Sequence, residues 1–215
     1  MRRRILALTF DDGPNLNTTL PVLKLLAEFR AAASFFVVGE NVTAETVPVL
    51  RQMLRQGCEI CSHAFSHPAL PQLSQAEILA EHRMTAECIR KAAGVLPRFF
   101  RPPYLAVSDA VFDAVPLPMI GGYGVRDFDE AVSAETRTEG VLRLAADGRI
   151  ILLHDAEDNV QTVEALRNIL PALRDQGFSF VTVSQLFAEK GIAPQPHARI
   201  LYSYAEQTEQ FAHDL

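Results

Sequence analysis

The segment ILALTFDDGP, residues 5–14, contains the pattern that decides the fold: an apolar run that ends in two aspartates and a Gly-Pro turn. The run predicts a buried strand over Ile5–Phe10, because short apolar segments bounded by turn residues are typical of parallel sheets. Successive side chains of an extended chain point in opposite directions, so Asp11 and Asp12 should face different surroundings. The pair is either part of a solvated loop or two carboxylates with separate tasks.

The rest of the chain alternates short apolar runs with segments whose apolar residues recur at spacings of three and four, which predict helices with one buried face. The further predicted strands are Ser34–Val38, Glu59–Ser62, Arg98–Phe100, Pro118–Gly121, Ile150–Leu153 and Ser179–Thr182. This alternation predicts the α/β class, and about seven strands favour a small barrel over an open sheet. Ser74 and Glu77 predict a capping box at the start of one helix.

The composition excludes several classes of protein. The 215 residues are 48% apolar and 21% charged, which is typical of one globular domain. A net charge of −6 argues against nucleic acid or an anionic membrane as a partner. The three cysteines are too few for a disulfide framework. Residues 5–10 are too short for a signal peptide, and no window could span a bilayer. We therefore expect a soluble, cytoplasmic chain, or a secreted or cell-envelope one if a leader was removed.

Polar residues follow most of the predicted strands. Active sites of α/β barrels and open parallel sheets form at the carboxyl ends of the strands, so these residues should converge. They are Asp11, Asp12, His63, His67, Arg101, Tyr104, Asp127, His154 and Asp155. For Asp155, support of this site and capping of the next element remain equal alternatives.

The segment SHAFSHP contains His63 and His67, four residues apart. Two neutral imidazoles and one carboxylate are a common ligand set for a catalytic divalent ion with open positions. Asp12 is the natural third ligand, which would leave Asp11 free to act as a base. An alternative is a structural zinc site that adds Cys58 and Cys61 to the histidines, although its spacing is cramped.

Five short motifs, TFDDGP, HAFSH, RPPY, RDF and ILLHD, occur in this order between residues 4 and 190. In this respect the chain resembles the polysaccharide deacetylases of the NodB-homology type, carbohydrate esterase family four. The resemblance implies an irregular (β/α)7-8 barrel that forms a single domain over residues 1–191, followed by a C-terminal extension over residues 192–215. It also implies metal-dependent removal of acetyl groups from N-acetylated or O-acetylated carbohydrate, such as chitin oligomers, peptidoglycan or xylan.

The resemblance further implies a role for each motif residue. Asp11 is expected to be the general base and His154 the general acid, with Arg101 paired to Asp11 and Asp127 orienting His154. The Tyr104 backbone N–H is expected to donate to the oxyanion, and Leu152 and Phe128 to line the acetyl pocket. The metal ligands are expected to be Asp12, His63 and His67, with Zn²⁺ as the ion and Co²⁺ or Ni²⁺ as alternatives.

The chain departs from the family pattern at three points. Ala64 replaces a hydroxyl residue after the first histidine of the second motif, and Leu105 replaces a glycine after Tyr104. The chain contains no tryptophan, so Phe128 is the stand-in in the fourth motif. Two other functions therefore remain open: an amidohydrolase that acts on a small non-sugar amide, and a catalytically idle carbohydrate-binding relative. Outside the motifs, His82 is expected to be solvated on its helix.

Overall fold

A computed structural model describes residues 4–211, and within this range the chain forms eight strands and seven α-helices. The strands are β1 (Arg4–Asp11), β2 (Ala33–Val37), β3 (Glu59–Ser62), β4 (Met119–Ile120), β5 (Tyr123–Gly124), β6 (Ile150–His154), β7 (Phe178–Phe180) and β8 (Leu201–Tyr202). The helices are α1 (Thr19–Glu28), α2 (Val47–Arg55), α3 (Gln75–Ala93), α4 (Asp109–Ala114), α5 (Ala134–Leu144), α6 (Val160–Asp175) and α7 (Val183–Lys190).

The strands pair in parallel around an irregular barrel. The main sheet has the order β3-β2-β1-β6-β5, with β7 paired to the start of β1, and a second sheet joins β4 to β8. Bridges from Phe100 to Ser62 and to Met119 connect the two sheets. The N–H of Ile150 donates to the Ser203 carbonyl at 3.0 Å, and this hydrogen bond links the end of β8 to the start of β6. The prediction of an irregular α/β barrel in a single domain is confirmed.

Strand β1 lies at the centre and separates two cores. Leu6, Leu8 and Phe10 pack into the core between the strands and the surrounding helices, the outer core. Ile5 and Ala7 pack into a second cluster on the other side of the strand, the inner core. This division follows from the alternation of side chains along a strand. Burial of each large apolar side chain contributes about 1.5–3 kcal/mol, so β1 is strongly held in register. The same alternation places Asp11 on the face shared with Ile5 and Ala7.

Helix α3 begins at the capping box that the sequence predicts, and a glycine ends it. The Ser74 side chain accepts from the Glu77 N–H, and the Glu77 carboxylate accepts from the Ser74 N–H at 2.8 Å, which forms the capping box. At the other end, Gly94 adopts a left-handed conformation with φ 75°, which residues with a side chain rarely adopt. These caps fix the helix that packs beside the HAFSH loop.

Two strand predictions are wrong in part. Arg98–Phe100 is not a strand, since only Phe100 forms bridges, and the predicted strand Pro118–Gly121 contracts to β4. Strands β5 and β8 were not predicted. Both are two residues long, and so short a segment carries no periodicity that could mark it.

The C-terminal extension predicted over residues 192–215 is not wholly a surface segment. Strand β8 pairs with β4, and Tyr202 and Ala205 are buried in the inner core. Residues 212–215 lie outside the described range, and the domain boundary at residue 191 stays a prediction. In residues 4–211, no helix has the length and apolar character needed to cross a membrane.

Candidate active site

The carboxyl ends of the parallel strands form one rim, and most of the predicted site residues meet there. Asp11 ends β1 and is paired in register with His154, the last residue of β6. A cavity of about 600 Å³ opens at this rim. Its walls include Asp11, Asp12, His63, His67, Tyr104, Phe128, Leu152 and His154. The convergence expected from the sequence therefore occurs, whereas the catalytic roles of these residues stay predictions.

The two aspartates face different surroundings, as the alternation of side chains along β1 predicts. Asp11 is 2% exposed at the end of β1, and the side chain of Asp12 is 28% exposed. Asp12 adopts a left-handed conformation with φ 78°, and the Asn41 side chain donates to its carbonyl at 2.7 Å. The Asp12 carboxylate lies beside both histidines, and Asp11 Oδ2 lies 3.7 Å from His63 Nε2.

Asp12, His63 and His67 form a group whose ligand atoms all lie within 4.8 Å of one another. The Asp12 Oδ1 atom lies 3.6 Å from His63 Nε2 and 3.4 Å from His67 Nε2. In the described part of the chain, this oxygen is buried without a hydrogen-bond partner. A buried carboxylate oxygen without a partner is costly, and a cation between it and two imidazoles removes that cost.

The protonation of His63 also fits a metal ligand. Its Nδ1 lies 2.8 Å from the Arg101 carbonyl, and because a carbonyl only accepts, the proton is on Nδ1. Nε2 then presents a lone pair towards the carboxylates. Burial lowers the pKa of His63 despite the nearby acids Asp11 and Asp12, so the ring is held neutral. The group fits a divalent ion with open coordination positions.

The cysteines do not join this group. Cys58 packs in the outer core and Cys61 in the inner core, and both thiols are free. Burial raises the pKa of the Cys58 thiol to about 11, which disfavours the thiolate that zinc requires. Among residues 4–211, the ligand group contains the two histidines and Asp12 without either cysteine. The structure therefore gives no support to the structural zinc alternative.

Asp11 forms a buried ion pair with Arg101. The Arg101 Nη1 donates to Asp11 Oδ1 at 2.5 Å, and the guanidinium lies over the Phe36 ring. Arg101 also donates to the carbonyls of Ile120 and Gly121, which fix its position. Burial would raise the pKa of Asp11, but Arg101 and the nearby histidines outweigh it, and the pKa is lowered. Asp11 is therefore ionised at neutral pH although it is buried.

His154 is held by Asp127. Its Nδ1 lies 2.8 Å from Asp127 Oδ1, and its backbone N–H donates to Oδ2 at 2.7 Å. Burial works to lower the pKa of His154, but the hydrogen bond and charge of Asp127 outweigh it and raise the pKa to about 9. At neutral pH the ring therefore carries both protons, with Nδ1–H directed at Asp127 and the ring in the cavity wall.

A buried arginine behind this pair was missed by the sequence reading. Arg137 of α5 donates to Thr162 Oγ1 at 2.9 Å, and Thr162 donates to Asp127 Oδ2 at 2.8 Å. Arg137 is 1% exposed and also donates to the carbonyls of Asp129 and Val132. Charged residues on an amphipathic helix are normally solvated, so no signal in the sequence marks this one.

Asp155 supports the aspartate loop. Its carboxylate accepts from the Gly13 N–H at 3.1 Å and from the Thr19 hydroxyl at 2.5 Å, and its own N–H donates to the Asp11 carbonyl. Burial raises the pKa of Asp155 to about 7. Of the two roles left open by the sequence, the contacts favour support of the site.

Tyr104 and Leu105 form the cavity wall beside His67. Both residues adopt left-handed conformations, with φ 59° and 53°, so Leu105 takes the positive φ without being a glycine. The Tyr104 ring is 71% exposed and meets the His67 ring edge-on at 4.7 Å. The role of the Tyr104 backbone N–H as the oxyanion donor stays a prediction.

Phe128 and Leu152 form an apolar wall beside His154. The Phe128 ring is 65% exposed and meets the His154 ring edge-on at 5.6 Å. Leu152 precedes His154 by two residues on β6 and also lines the cavity. Both line the cavity, and their role in an acetyl pocket stays a prediction.

The reading of His82 as solvated was wrong. His82 is buried at 7% exposure and meets the Phe100 ring edge-on. Burial lowers the pKa of its imidazole to about 4, so the ring is neutral at physiological pH. His82 therefore packs against the core from helix α3.

Comparison with known proteins gives close relatives. A family model described as polysaccharide deacetylase matches residues 1–116. A bifunctional xylanase/deacetylase of Pseudobutyrivibrio xylanivorans is 40% identical over 92% of this chain and 33% of its own length. A peptidoglycan-N-acetylmuramic acid deacetylase of Bacillus subtilis (strain 168) is 36% identical over 86% of this chain and 39% of its own length. The chain thus spans between about a third and two fifths of the length of these relatives.

Solved structures match nearly the whole chain. The CE4 domain of a multidomain xylanase from the hindgut metagenome of Trinervitermes trinervoides has a TM-score of 0.92 at 39% identity, covering 95% of this chain and 98% of that one. A family 4 acetyl xylan esterase from Clostridium thermocellum, in complex with a cobalt ion, has a TM-score of 0.92 at 37% identity, covering 95% and 100%. With the motifs, the fold and the site in agreement, this chain belongs to the polysaccharide deacetylase family, carbohydrate esterase family four.

Proposed function

We propose that the chain is a metal-dependent hydrolase that removes acetyl groups from N-acetylated or O-acetylated carbohydrate. One observation carries the proposal: a cavity contains a group fit to bind a divalent ion, a buried ionised carboxylate on Asp11 and a doubly protonated imidazole on His154. Hydrolysis of an amide or ester needs an activated water, stabilised oxyanion charge and a proton for the leaving group. These side chains supply a base and an acid in one cavity.

Asp12, His63 and His67 would hold the ion. A divalent ion bound there would supply Lewis-acid activation of water and of the acyl oxygen. We propose Zn²⁺, because two imidazoles and a carboxylate with open positions are typical of catalytic zinc, with Co²⁺ or Ni²⁺ as alternatives. The relative from Clostridium thermocellum was solved with a cobalt ion.

Asp11 would take the proton from the attacking water. A general base must be ionised before the reaction, and the buried ion pair with Arg101 at 2.5 Å keeps it so. Arg101 has no access to solvent, at 0% exposure, and its contacts with two backbone carbonyls hold the pair rigidly. The pair therefore positions the base without a cost of reorganisation during the reaction.

His154 would donate a proton to the leaving amine or alkoxide. Its raised pKa ensures that the proton is present at neutral pH, and Asp127 fixes the ring orientation. The Tyr104 N–H would donate to the tetrahedral oxyanion, and loss of one such donor costs roughly 2.7–4 kcal/mol of barrier in measured cases. Leu152 and Phe128 would enclose the acetyl methyl group.

The substrate class rests on the relatives and on the cavity. The relatives are named as deacetylases of peptidoglycan and as an acetyl xylan esterase. Tyr104 and Phe128 are exposed aromatic rings at the cavity, which suit the apolar faces of sugar rings. We therefore propose an acetylated cell-wall polysaccharide, and a net charge of −6 supports neither nucleic acid nor an anionic membrane as a partner.

The test is acetate release from acetylated xylan, chitin oligomers and peptidoglycan, with the protein treated with a chelator and then reloaded with Zn²⁺, Co²⁺ or Ni²⁺. We expect release that the chelator abolishes and a metal restores. Turnover that resists the chelator would refute the metal mechanism. A metal-loaded protein that binds the glycans without releasing acetate would instead identify the idle binding relative, and turnover of small acetamides alone would identify the amidohydrolase.

A further inference from the structure

The loop that contains both histidines, residues 63–67, has an unfavourable backbone conformation. Ala64 and His67 have left-handed φ angles of 63° and 57°, although neither is a glycine. Such angles persist only where the surroundings impose them. Ala64 is fully buried, and its carbonyl accepts from the Gly39 N–H at 3.0 Å. The loop therefore depends on contacts outside itself.

Glu81 of α3 provides the side-chain contacts to this loop. Its Oε2 accepts from the backbone N–H groups of Phe65 and Ser66, both at 2.8 Å. Its Oε1 accepts from the Ser66 hydroxyl at 2.9 Å. One carboxylate thus binds three donors between the two histidines. The capped helix α3 fixes the position from which it does so.

The two histidines are restrained to different degrees. His63 is held by its backbone N–H, which donates to Val37, and by its Nδ1, which contacts the Arg101 carbonyl. The contacts of the His67 ring are with Asp12 and with the rings of His63 and Tyr104. The position of His67 therefore depends more on the loop backbone.

We propose that Glu81 is a positioning residue that holds the loop in the geometry in which His67 joins His63 and Asp12 as a ligand. The inference rests on the proposed metal site, but not on the substrate or the reaction. Groups that orient metal ligands typically change metal affinity by 10–100-fold when they are removed. Glu81 does not touch the cavity, and its effect passes through the loop.

The experiment measures Zn²⁺ affinity of the full chain by competition with a chromogenic chelator. We expect Glu81→Ala to weaken binding about 10–100-fold, and Ser66→Ala, which removes one of the three donors, to weaken it less. Glu87→Gln is the matched control, since Glu87 lies on the same helix in an exposed pair with Arg90.

Affinity of Glu81→Ala within twofold of wild type would overturn the proposal, and so would an equal loss in Glu87→Gln. If Glu81→Ala fails to fold, as judged by circular dichroism without metal, the Ser66→Ala affinity decides alone, and an unchanged value would refute the proposal. If the wild type binds Zn²⁺ but releases no acetate from any substrate, the proposed function fails while this inference stands.

Discussion

Replacement of Asp127 by asparagine should remove most of the charge on His154 at neutral pH. Asp127 accepts from His154 Nδ1, from the His154 N–H and from the Thr162 hydroxyl. If the asparagine oxygen keeps the two contacts of Oδ2, its NH₂ group faces His154 Nδ1. The doubly protonated ring then loses both the hydrogen bond and the negative charge that stabilise it.

The magnitude follows from the pKa. Asp127 is the main group that raises the pKa of His154 to about 9, with smaller contributions from Asp11 and Asp12, whereas an unperturbed histidine lies near ~6.5. Once the Asp127 carboxylate is gone, burial acts against the remaining charges of Asp11 and Asp12, so the pKa of His154 should fall towards ~6.5. This removes about 3 kcal/mol of stabilisation of the protonated ring. At pH 8 the protonated fraction would fall from about nine tenths to about three hundredths, roughly a thirty-fold loss of rate.

The assay is the pH profile of kcat/KM for acetate release, from pH 5 to pH 10. The proton of His154 is lost as pH rises, so its pKa appears as the alkaline limb, and the limb of Asp127→Asn should move to lower pH by two units or more. The acid limb should stay below pH 5, because Arg101 is the main group that lowers the pKa of Asp11 and this ion pair is kept in Asp127→Asn.

The matched control is Asp129→Asn. Asp129 lies in the same loop as Asp127, and its carboxylate pairs with the exposed Arg126. Its alkaline limb should coincide with that of the wild type. Thr162→Val removes one of the donors to Asp127 and should leave the limb close to pH 9. An alkaline limb of Asp127→Asn that stays within half a unit of the wild-type value would show that His154 is not the acid, or that Asp127 does not charge it.

Four further substitutions test separate parts of the structure. Asp11→Asn should lose activity but keep its affinity for Zn²⁺, whereas Asp12→Asn should lose that affinity. A zinc titration that gave the reverse result would exchange the proposed roles of the two aspartates. Gly13→Ala should lower the free energy of unfolding by about 1–3 kcal/mol, because its Cβ would meet the Asp155 carboxylate; an unchanged denaturation midpoint would contradict the packing. Phe128→Ala should raise KM and change stability by less than about 0.5 kcal/mol, since the ring is exposed at the cavity; an unchanged KM on every glycan would remove it from the pocket.

Much of the site could be predicted from the sequence because it follows strand ends. Asp11 ends β1, His63 follows β3 and His154 ends β6, and parallel strands bring their carboxyl ends to one rim. Residue type and spacing were enough to propose Asp12, His63 and His67 as metal ligands, and the structure brings these three together. The roles of Tyr104, Leu152 and Phe128 came from the resemblance to the family, since side chains of this kind are common in ordinary cores.

The sequence by itself determined the alternation of strands and helices, the buried central strand and the set of polar groups at the rim, because hydrophobic periodicity and residue order are local properties. Only the tertiary structure decided that Arg137 lies buried behind Asp127, that Glu81 anchors the histidine loop and that β8 completes the pairing from the C-terminal segment. These features join residues far apart in the chain through single hydrogen bonds or two-residue strands, and contacts of that size leave no periodic mark on the sequence.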